Sequence, residues 1–381
     1  MISGALPLIE KIIRKIEASG PIPFSNFMEM ALYEPSWGYY VSGREPFGPA
    51  GDYYTSPEVH PLFGRMISRQ IAQMAETVSA SGPVTVVEAG PGTGMLAMSI
   101  MKSLREENPE VFNRVDYRLV ESSPVLTERQ RVFLRQDEAI FNKAAWHASI
   151  DGLPELEGVV FSNELLDAFP VRRVIWKERL REVLVDYKDG IFQEVLTDQA
   201  SPELEAWFKG LPVHWSEGQG AEASFNLEGW VASVARKLTR GFLLTIDYGG
   251  GSAELVSLRR KRGTLLCYRN HQTNEDPYQW IGEQDITAHV NFSVLQREGL
   301  RRGLNPLGYL EQANFLIGLG ILEEMEKYVQ PIENPAGDKN YRAMKHLIHP
   351  EGLGPVYKVF IQQKNMASCL LKGLQYARPS V

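Results

Sequence analysis

The sequence predicts a doubly wound α/β fold with an accessory N-terminal segment and an inserted part that is rich in β-strand and helix. Three observations predict it. An apolar run at 84–88 ends on a carboxylate and leads into a loop of three alternating glycines, further β-type runs alternate with helical patterns, and residues 172–220 change to shorter alternating runs. Strands that alternate with helices imply right-handed crossovers and a parallel sheet.

The N-terminal segment, residues 1–78, is expected to form a cap of helices and aromatic loop. Met1 to Ile16 has apolar residues at helical spacing, with charged residues between them. A second helical stretch follows the Tyr-, Gly- and Pro-rich residues 33–58. Their aromatic content argues against disorder, so we expect this irregular stretch to be functional.

The sheet domain is expected to comprise residues 79–170 and 236–365, with an insertion at 171–235 and a tail at 366–381. Helices are predicted at Met95–Leu104, Pro124–Leu134 and Leu227–Leu238, and strands at Val84–Glu88, Tyr117–Val120, Gly158–Ser162, Gly241–Ile246 and Val356–Gln362. Within the insertion, Val171–Trp176 and Glu182–Tyr187 alternate like antiparallel strands, and Lys188-Asp-Gly190 is typical of a hairpin turn.

Composition excludes several classes of protein. A net charge of −7 over 381 residues disfavours a nucleic-acid groove, which needs a basic face. The two cysteines, Cys267 and Cys369, are too few and too far apart for a disulfide framework or a zinc cluster, so we expect no metal site. We find no secretion signal and no membrane span, and we expect a bacterial cytoplasmic protein, with the mitochondrial matrix as the alternative because a matured organellar chain has the same features.

The glycine loop predicts a cofactor pocket. Gly90, Gly92 and Gly94 open the turn between a strand and a helix, where glycine permits positive φ and a close approach of ligand to backbone. Their alternate spacing fits the dinucleotide pattern G-x-G-x-x-G poorly. Glu88 beside the loop repels phosphate and attracts an ammonium or sulfonium group. S-adenosylmethionine carries both cations, so we predict it as the cofactor; the alternative is a glycine turn without a ligand.

Acidic and amide side chains end the neighbouring strands. Glu121 is placed to accept hydrogen bonds from both ribose hydroxyls, with an N-cap for the following helix as the alternative. Asn163 and Glu164 end the next strand. If the turn after it is helical, Glu164 and Asp167 share a face and can clamp a guanidinium. The alternative is that both acids only favour a helix start through its dipole.

Six separated stretches resemble the MidA-type methyltransferases. They are Phe27–Tyr33, Gly51–Glu58, Glu88–Gly94, Asn163–Pro170, Asp247–Gly249 and the run from Gly282 through His289 to Phe292. The family includes a mitochondrial complex I assembly factor that methylates an arginine of a respiratory-chain subunit. The resemblance implies a Rossmann-like class I methyltransferase fold, S-adenosylmethionine as donor and, by analogy with the mitochondrial member, a protein arginine as acceptor.

The resemblance also implies roles for individual residues. Glu88 and the glycine loop hold the methionine end of the cofactor, and Glu121 holds the ribose. Asn163, Glu164 and Asp167 face the acceptor. Asp52, Thr55 and Ser56 close over the cofactor, as do Asp285, Thr287 and His289 from a later loop; turn and capping chemistry is the alternative for these six. His289 is a candidate general base, and the alternative is that it has only a structural role.

Other functions stay open at this point. A methyltransferase that acts on a small molecule requires a closed apolar pocket, and a non-enzymatic assembly factor binds the cofactor without transferring a methyl group. A dehydrogenase is disfavoured by the glycine spacing. The oligomeric state and the number of methyl groups added are not specified by the sequence.

Overall fold

The computed structural model describes residues 3–43, 52, 56–327, 335–367 and 369–381, without the side chains of residues 58 and 335–340. Its strands, in chain order, are β1 (Ile22–Pro23), β2 (Val84–Ala89), β3 (Val115–Val120), β4 (Ala144–His147), β5 (Leu156–Asn163), β6 (Arg172–Lys177), β7 (Arg179–Lys188), β8 (Ile191–Leu196), β9 (Gly220–Ala223), β10 (Leu238–Gly250), β11 (Leu266–Arg269), β12 (Gln272–Asn274), β13 (Asp285–Thr287), β14 (Val290–Asn291), β15 (Asn305–Glu311) and β16 (Tyr357–Lys364).

The α-helices are α1 (Leu6–Ser19), α2 (Phe24–Tyr33), α3 (Ser56–Val59), α4 (Leu62–Val78), α5 (Met95–Glu107), α6 (Pro109–Arg114), α7 (Pro124–Leu134), α8 (Glu138–Phe141), α9 (Pro202–Phe208), α10 (Phe225–Lys237), α11 (Ser252–Leu255), α12 (Phe292–Leu300), α13 (Gln312–Gly318), α14 (Ile321–Glu326) and α15 (Pro335–Ile348). Short 3₁₀ helices span Ile150–Gly152, Leu166–Ala168, Leu258–Arg260 and Lys372–Leu374.

The chain forms two compact units. The first comprises Met1–Tyr53, Leu166–Trp230 and Gly249–Leu295, and the second comprises Tyr54–Leu165, Val231–Tyr248 and Gln296–Val381. The expected division into a sheet domain at 79–170 and 236–365, an insertion at 171–235 and a tail at 366–381 stays a prediction. Among the described residues, no helix combines the length and apolar character that crossing a bilayer requires.

The second unit holds a mostly parallel sheet in the order β15-β16-β10-β5-β2-β3-β4. The strands from β10 to β4 in this order are parallel to their neighbours, and β16 is antiparallel to both β10 and β15. Along the chain, β3 pairs with one edge of β2 and β4 pairs with β3, and β5 then pairs with the other edge of β2. The strand order therefore reverses between β2 and β5, the place where open α/β sheets bind ligands. The predicted α/β class is confirmed.

The elements of this sheet follow from the patterns that predicted them. Strand β2 is buried along most of its length, as expected of a central parallel strand. Helix α7 covers the predicted Pro124–Leu134, because Pro124 suits the first helical position and Ser123 caps it by accepting a hydrogen bond from Leu126 N–H. The core between sheet and helices is excluded from solvent: Ile67 and Met101 are at most 1% exposed.

The first unit is dominated by an antiparallel sheet in the order β1-β7-β6-β9, with β8 paired to β7. The predicted hairpins are confirmed. Asp189 and Gly190 have φ values of 53° and 80° between the paired residues Lys188 and Ile191, as a two-residue type I′ turn requires. Helix α1 buries four residues of the predicted apolar stripe, Leu8, Ile9, Ile12 and Ile16, in a core shared with Phe27 and Val185, and the fifth, Ile13, is partly buried against that core.

Candidate active site

The glycine loop connects β2 to α5 in a conformation that side chains disfavour. Gly90, Gly92 and Gly94 have φ values of 67°, 52° and 83°. Gly90 donates its N–H to the Val120 carbonyl at 3.0 Å, and a Cβ on Gly90 would lie 2.7 Å from Leu165 Cδ1. All three positions therefore depend on glycine for their backbone geometry, and Gly90 also for space.

Helix α5 begins at this loop, where Thr93 Oγ1 accepts a long hydrogen bond of 3.4 Å from the Met95 N–H. The N-cap is Gly94, which has no side chain to cap the helix, and the first turn carries no acidic residue. Early N–H groups of a helix seek an acceptor and favour negative charge. The amino-acid carboxylate of a ligand suits this helix end.

Glu88, the predicted anion beside the loop, is almost fully buried. It is 2% exposed, and its Oε2 accepts a 2.6 Å hydrogen bond from the Tyr117 hydroxyl of β3. Burial raises the pKa of Glu88 to about 7, although the bond from Tyr117 opposes that rise. A cation nearby would favour the ionised form of this carboxyl group.

Glu121 lies directly after β3 with both carboxylate oxygens engaged. Oε1 accepts the Ser123 N–H at 2.8 Å, and Oε2 accepts a hydrogen bond from Gln130 Nε2 at 3.1 Å. Burial raises the pKa of Glu121, and these bonds lower it. The helix cap falls on Ser123, so the N-cap alternative for Glu121 is wrong. A carboxylate can accept about four hydrogen bonds, which leaves capacity for a ligand's hydroxyl groups.

Asn163 and Glu164 end β5, but no helical turn follows at once. Glu164 has a φ of 52°, and the 3₁₀ helix begins only at Leu166. The condition for placing Glu164 and Asp167 on one helical face is therefore not met. The N–H groups that follow β5 are bonded to β10 instead: Glu164 donates its N–H to the Ile246 carbonyl at 3.0 Å, and Leu165 donates its N–H to the Asp247 side chain, at Oδ2, at 3.2 Å.

The Glu164 carboxylate accepts three hydrogen bonds. Its Oε1 accepts hydrogen bonds from the Ser56 N–H and Asn163 Nδ2, both at 3.0 Å, and its Oε2 accepts one from the Tyr357 hydroxyl at 2.6 Å. The Tyr357 hydroxyl also contacts the Tyr248 hydroxyl. Ser56, predicted to close over the cofactor, is thus tied to the end of β5.

In this arrangement one polar atom of Asn163 accepts no hydrogen bond from the described residues. Asn163 is 8% exposed, and its Oδ1 has no hydrogen-bond partner among the described residues. Buried acceptors are normally satisfied, and an exception at the ligand edge of a sheet suggests a bound donor. The amide is oriented by its own bond to Glu164.

The remaining predicted residues lie in the first unit, except Thr55, which is outside the described residues. Asp52 accepts hydrogen bonds from the Tyr39 hydroxyl at 2.8 Å and the Asn270 N–H at 2.7 Å. Asp285 accepts one from the Tyr40 hydroxyl at 2.8 Å, and the Thr287 hydroxyl donates to the Leu266 carbonyl at 3.2 Å. These contacts anchor turns and strand ends, and a role in ligand binding stays a prediction.

Asp167 and His289 belong to one neighbourhood of the first unit. The Asp167 carbonyl accepts the Ala288 N–H at 2.9 Å, and the His289 N–H donates to Thr264 Oγ1 at 3.0 Å. His289 borders a cavity of about 20 Å³, room for about one water molecule. Within the described part of the chain, no group of three or more metal-ligating side chains is present.

Sequence reasoning missed Tyr117, Gln130 and Tyr357. Each contributes a polar group to a predicted site carboxylate from another strand or helix. Nothing near these residues in the chain marks them, because their importance depends on which element lies beside which. Hydrophobic patterning places Tyr117 and Tyr357 in buried strands but says nothing about their hydroxyl groups.

The fit to S-adenosylmethionine rests on complementary features of the second unit. The loop glycines hold positive φ, the first turn of α5 carries no acidic residue, Glu88 lies beside the loop and Glu121 retains acceptor capacity. These features match a ligand that carries a carboxylate, an ammonium group and two ribose hydroxyls.

Comparisons with known proteins agree. Residues 66–310 match the family described as "Putative S-adenosyl-L-methionine-dependent methyltransferase". The chain is 28% identical over 342 residues to the protein arginine methyltransferase NDUFAF7 homolog, mitochondrial, of Drosophila melanogaster, covering 82% of this chain and 75% of that protein. It is 25% identical over 377 residues to the human protein arginine methyltransferase NDUFAF7, mitochondrial, covering 93% of this chain and 82% of the relative.

A solved structure is similar over nearly the whole chain. It is a candidate methyl transferase from Burkholderia thailandensis bound to S-adenosyl-homocysteine, with a TM-score of 0.87 and 33% identity, covering 98% of this chain and 95% of that one. The predicted methyltransferase fold, activity and cofactor are confirmed. The chain belongs to this family of S-adenosyl-L-methionine-dependent methyltransferases.

Proposed function

We propose that this enzyme methylates an arginine side chain of a protein, of the respiratory-complex subunit type. Support comes from relatives named protein arginine methyltransferase, which align with 82% and 93% of the chain. The observation that carries the proposal is the unsatisfied Asn163 Oδ1 at the end of β5. A neutral amide oxygen accepts a hydrogen bond from a guanidinium nitrogen, which always carries hydrogens because its pKa exceeds 12.

On the cofactor side, the loop glycines and Glu88 would hold the methionine end, and Glu121 the ribose. Bound S-adenosylmethionine supplies an electrophilic methyl group on a sulfonium. The chain's contribution is positioning and electrostatics, and no metal is required for such a transfer. Asp52, Thr55 and Ser56 stay candidates for covering the cofactor.

On the acceptor side, Asn163 would orient the nucleophilic nitrogen and Glu164 would hold Asn163. The Glu164 contacts support this division: one oxygen fixes the Asn163 amide, and the other is fixed by Tyr357. Asp167 is a candidate second carboxylate for the guanidinium, and His289 a candidate base for the proton that leaves the methylated nitrogen.

The direct test compares Asn163→Ala and Glu164→Gln with the matched control Glu157→Gln, an exposed carboxylate on the same strand. Methyl transfer is measured with labelled cofactor, and lysate of a strain that lacks the chain supplies the unmethylated acceptor. Binding of S-adenosylhomocysteine is measured by calorimetry. We expect both site variants to lose turnover at least about tenfold with unchanged ligand affinity, since an oriented hydrogen bond is lost. Normal turnover in both would remove this pair from the mechanism.

The same assay identifies the acceptor class. Label in protein, recovered on arginine by mass spectrometry, supports the proposal. Label in solvent-extractable material supports the small-molecule alternative, and binding without any transfer supports an assembly factor.

Location is proposed separately. We infer a bacterial cytoplasmic protein, supported by two cysteines that are both free thiols, with the mitochondrial matrix as the alternative because the compared relatives are named mitochondrial. Fractionation with an antibody against the chain distinguishes the two.

A further inference from the structure

Gln130 of α7 joins three segments of the predicted cofactor site. It has no exposed surface. Its Nε2 donates to the Gly92 carbonyl at 2.8 Å and to Glu121 Oε2 at 3.1 Å, and its Oε1 accepts from Trp146 Nε1 at 3.1 Å. One amide thus connects the glycine loop, the acid after β3 and an indole on β4.

The orientation of this amide follows from its partners. An indole nitrogen only donates, so it must face the amide oxygen. The Gly92 carbonyl and a carboxylate only accept, so they must face the amide nitrogen. The reversed amide would lose all three bonds, and Gln130 therefore holds one orientation.

Surrounding contacts keep the amide in place. The Arg131 guanidinium lies 4.5 Å from the Trp146 ring centroid, and the Phe141 ring lies 5.8 Å from it. A Cβ on Gly94 would lie 3.5 Å from Gln130 Cγ, so the stem of the side chain also packs against the start of α5.

We propose that Gln130 is a positioning residue that holds the Glu121 carboxylate at a fixed position relative to the glycine loop. Recognition of the ribose hydroxyls by Glu121 therefore depends on Gln130. This inference rests on the proposed role of Glu121. Without the amide, Glu121 Oε2 loses its side-chain donor, and the carboxylate is no longer held relative to the backbone of Gly92.

The test measures ribose discrimination, which general destabilisation does not change. Calorimetry gives the affinities of the whole enzyme for S-adenosylhomocysteine and for its 2′,3′-dideoxyribose counterpart. The variants are Gln130→Met, which keeps length and loses the hydrogen bonds, and Trp146→Phe, which loses only the donor to Oε1. The matched control is Gln70→Met, another fully buried glutamine, whose Oε1 accepts the Gly373 N–H at 3.0 Å.

We expect the preference for the ribose form to fall about tenfold in Gln130→Met and less in Trp146→Phe, with the wild-type preference kept in Gln70→Met. A wild-type preference in both folded site variants overturns the inference while leaving the role of Glu121 intact. If Gln130→Met does not fold, Gln130→Glu decides alone, because it keeps the shape of the side chain and replaces the Nε2 donor with an acceptor; a wild-type preference there overturns the inference. A wild-type enzyme that does not distinguish the two ligands overturns both the inference and the assignment of Glu121 to the ribose.

Discussion

Tyr117 donates a 2.6 Å hydrogen bond to Glu88 across two adjacent parallel strands. Val86 is the register partner of Tyr117, so the pair is diagonal, and both side chains are at most 2% exposed. The carboxyl group at the base of the glycine loop thus has a neutral donor as its partner, which stabilises the ionised form less than a cation would.

This pair predicts a pH dependence of stability. The pKa of Glu88 rises from 4.5 to about 7 on folding, so between these values the unfolded chain loses the proton first. Stability then falls as pH rises through this window, by about 3 kcal/mol, and levels off above it. Glu88→Gln lacks this carboxyl group, so its free energy of unfolding should not show this fall with pH. Urea unfolding of both proteins from pH 4.5 to 8 checks it; parallel profiles would contradict the shifted pKa.

Gly92→Val should abolish most cofactor affinity. Gly92 has a φ of 52°, which a β-branched residue adopts only at a cost of about 1–3 kcal/mol, and the side chain would occupy space that we assign to the ligand. We expect calorimetry with S-adenosylmethionine to show at least about a tenfold loss. Gly190→Val is the control, because it imposes similar strain at φ 80° in a hairpin turn with open space around the Cβ. Equal affinity in both variants would argue against the pocket.

Tyr357→Phe should lower turnover and leave cofactor binding unchanged. The substitution removes the 2.6 Å donor to Glu164 Oε2, and Glu164 is what orients the Asn163 amide. We expect about a tenfold lower kcat in the labelled-methyl assay. Tyr376→Phe, at a tyrosine that is 56% exposed, is the matched control. Full activity in Tyr357→Phe would show that Glu164 needs no support from β16.

Gly241→Ala should destabilise the sheet severely. Gly241 has a φ of 135°, and a Cβ there would lie 1.9 Å from the carbonyl oxygen of Gly158 on β5. Because backbone atoms of central strands cannot move aside cheaply, we expect a loss of at least about 3 kcal/mol. Gly229→Ala, inside α10 with open space around the Cβ, should instead gain up to about 1 kcal/mol. Thermal unfolding measures both, and a Gly241→Ala protein with wild-type Tm would be the contrary result.

Much of the fold was predictable because local chemistry decides it. Helix α7 occupies the predicted residues because Ser123 and Pro124 form a start that needs no tertiary partner. The hairpin at Asp189 and Gly190 was predictable for the same reason. The condition of a helical turn directly after β5 is not met, since Glu164 has a φ of 52° and its N–H bonds the Ile246 carbonyl of β10, and a long-range hydrogen bond leaves no local pattern.

The sequence by itself determined the α/β class, the glycine loop and the acids that end β3 and β5, because periodicity, turn chemistry and glycine spacing act over a few residues. Only the tertiary structure decided how those acids are used. Burial and Tyr117 set the protonation of Glu88, Gln130 orients Glu121, and Glu164 holds Asn163 so that one buried oxygen stays unsatisfied. These are properties of neighbours brought together by strand order, and desolvation and hydrogen bonding depend on those neighbours rather than on the residue itself.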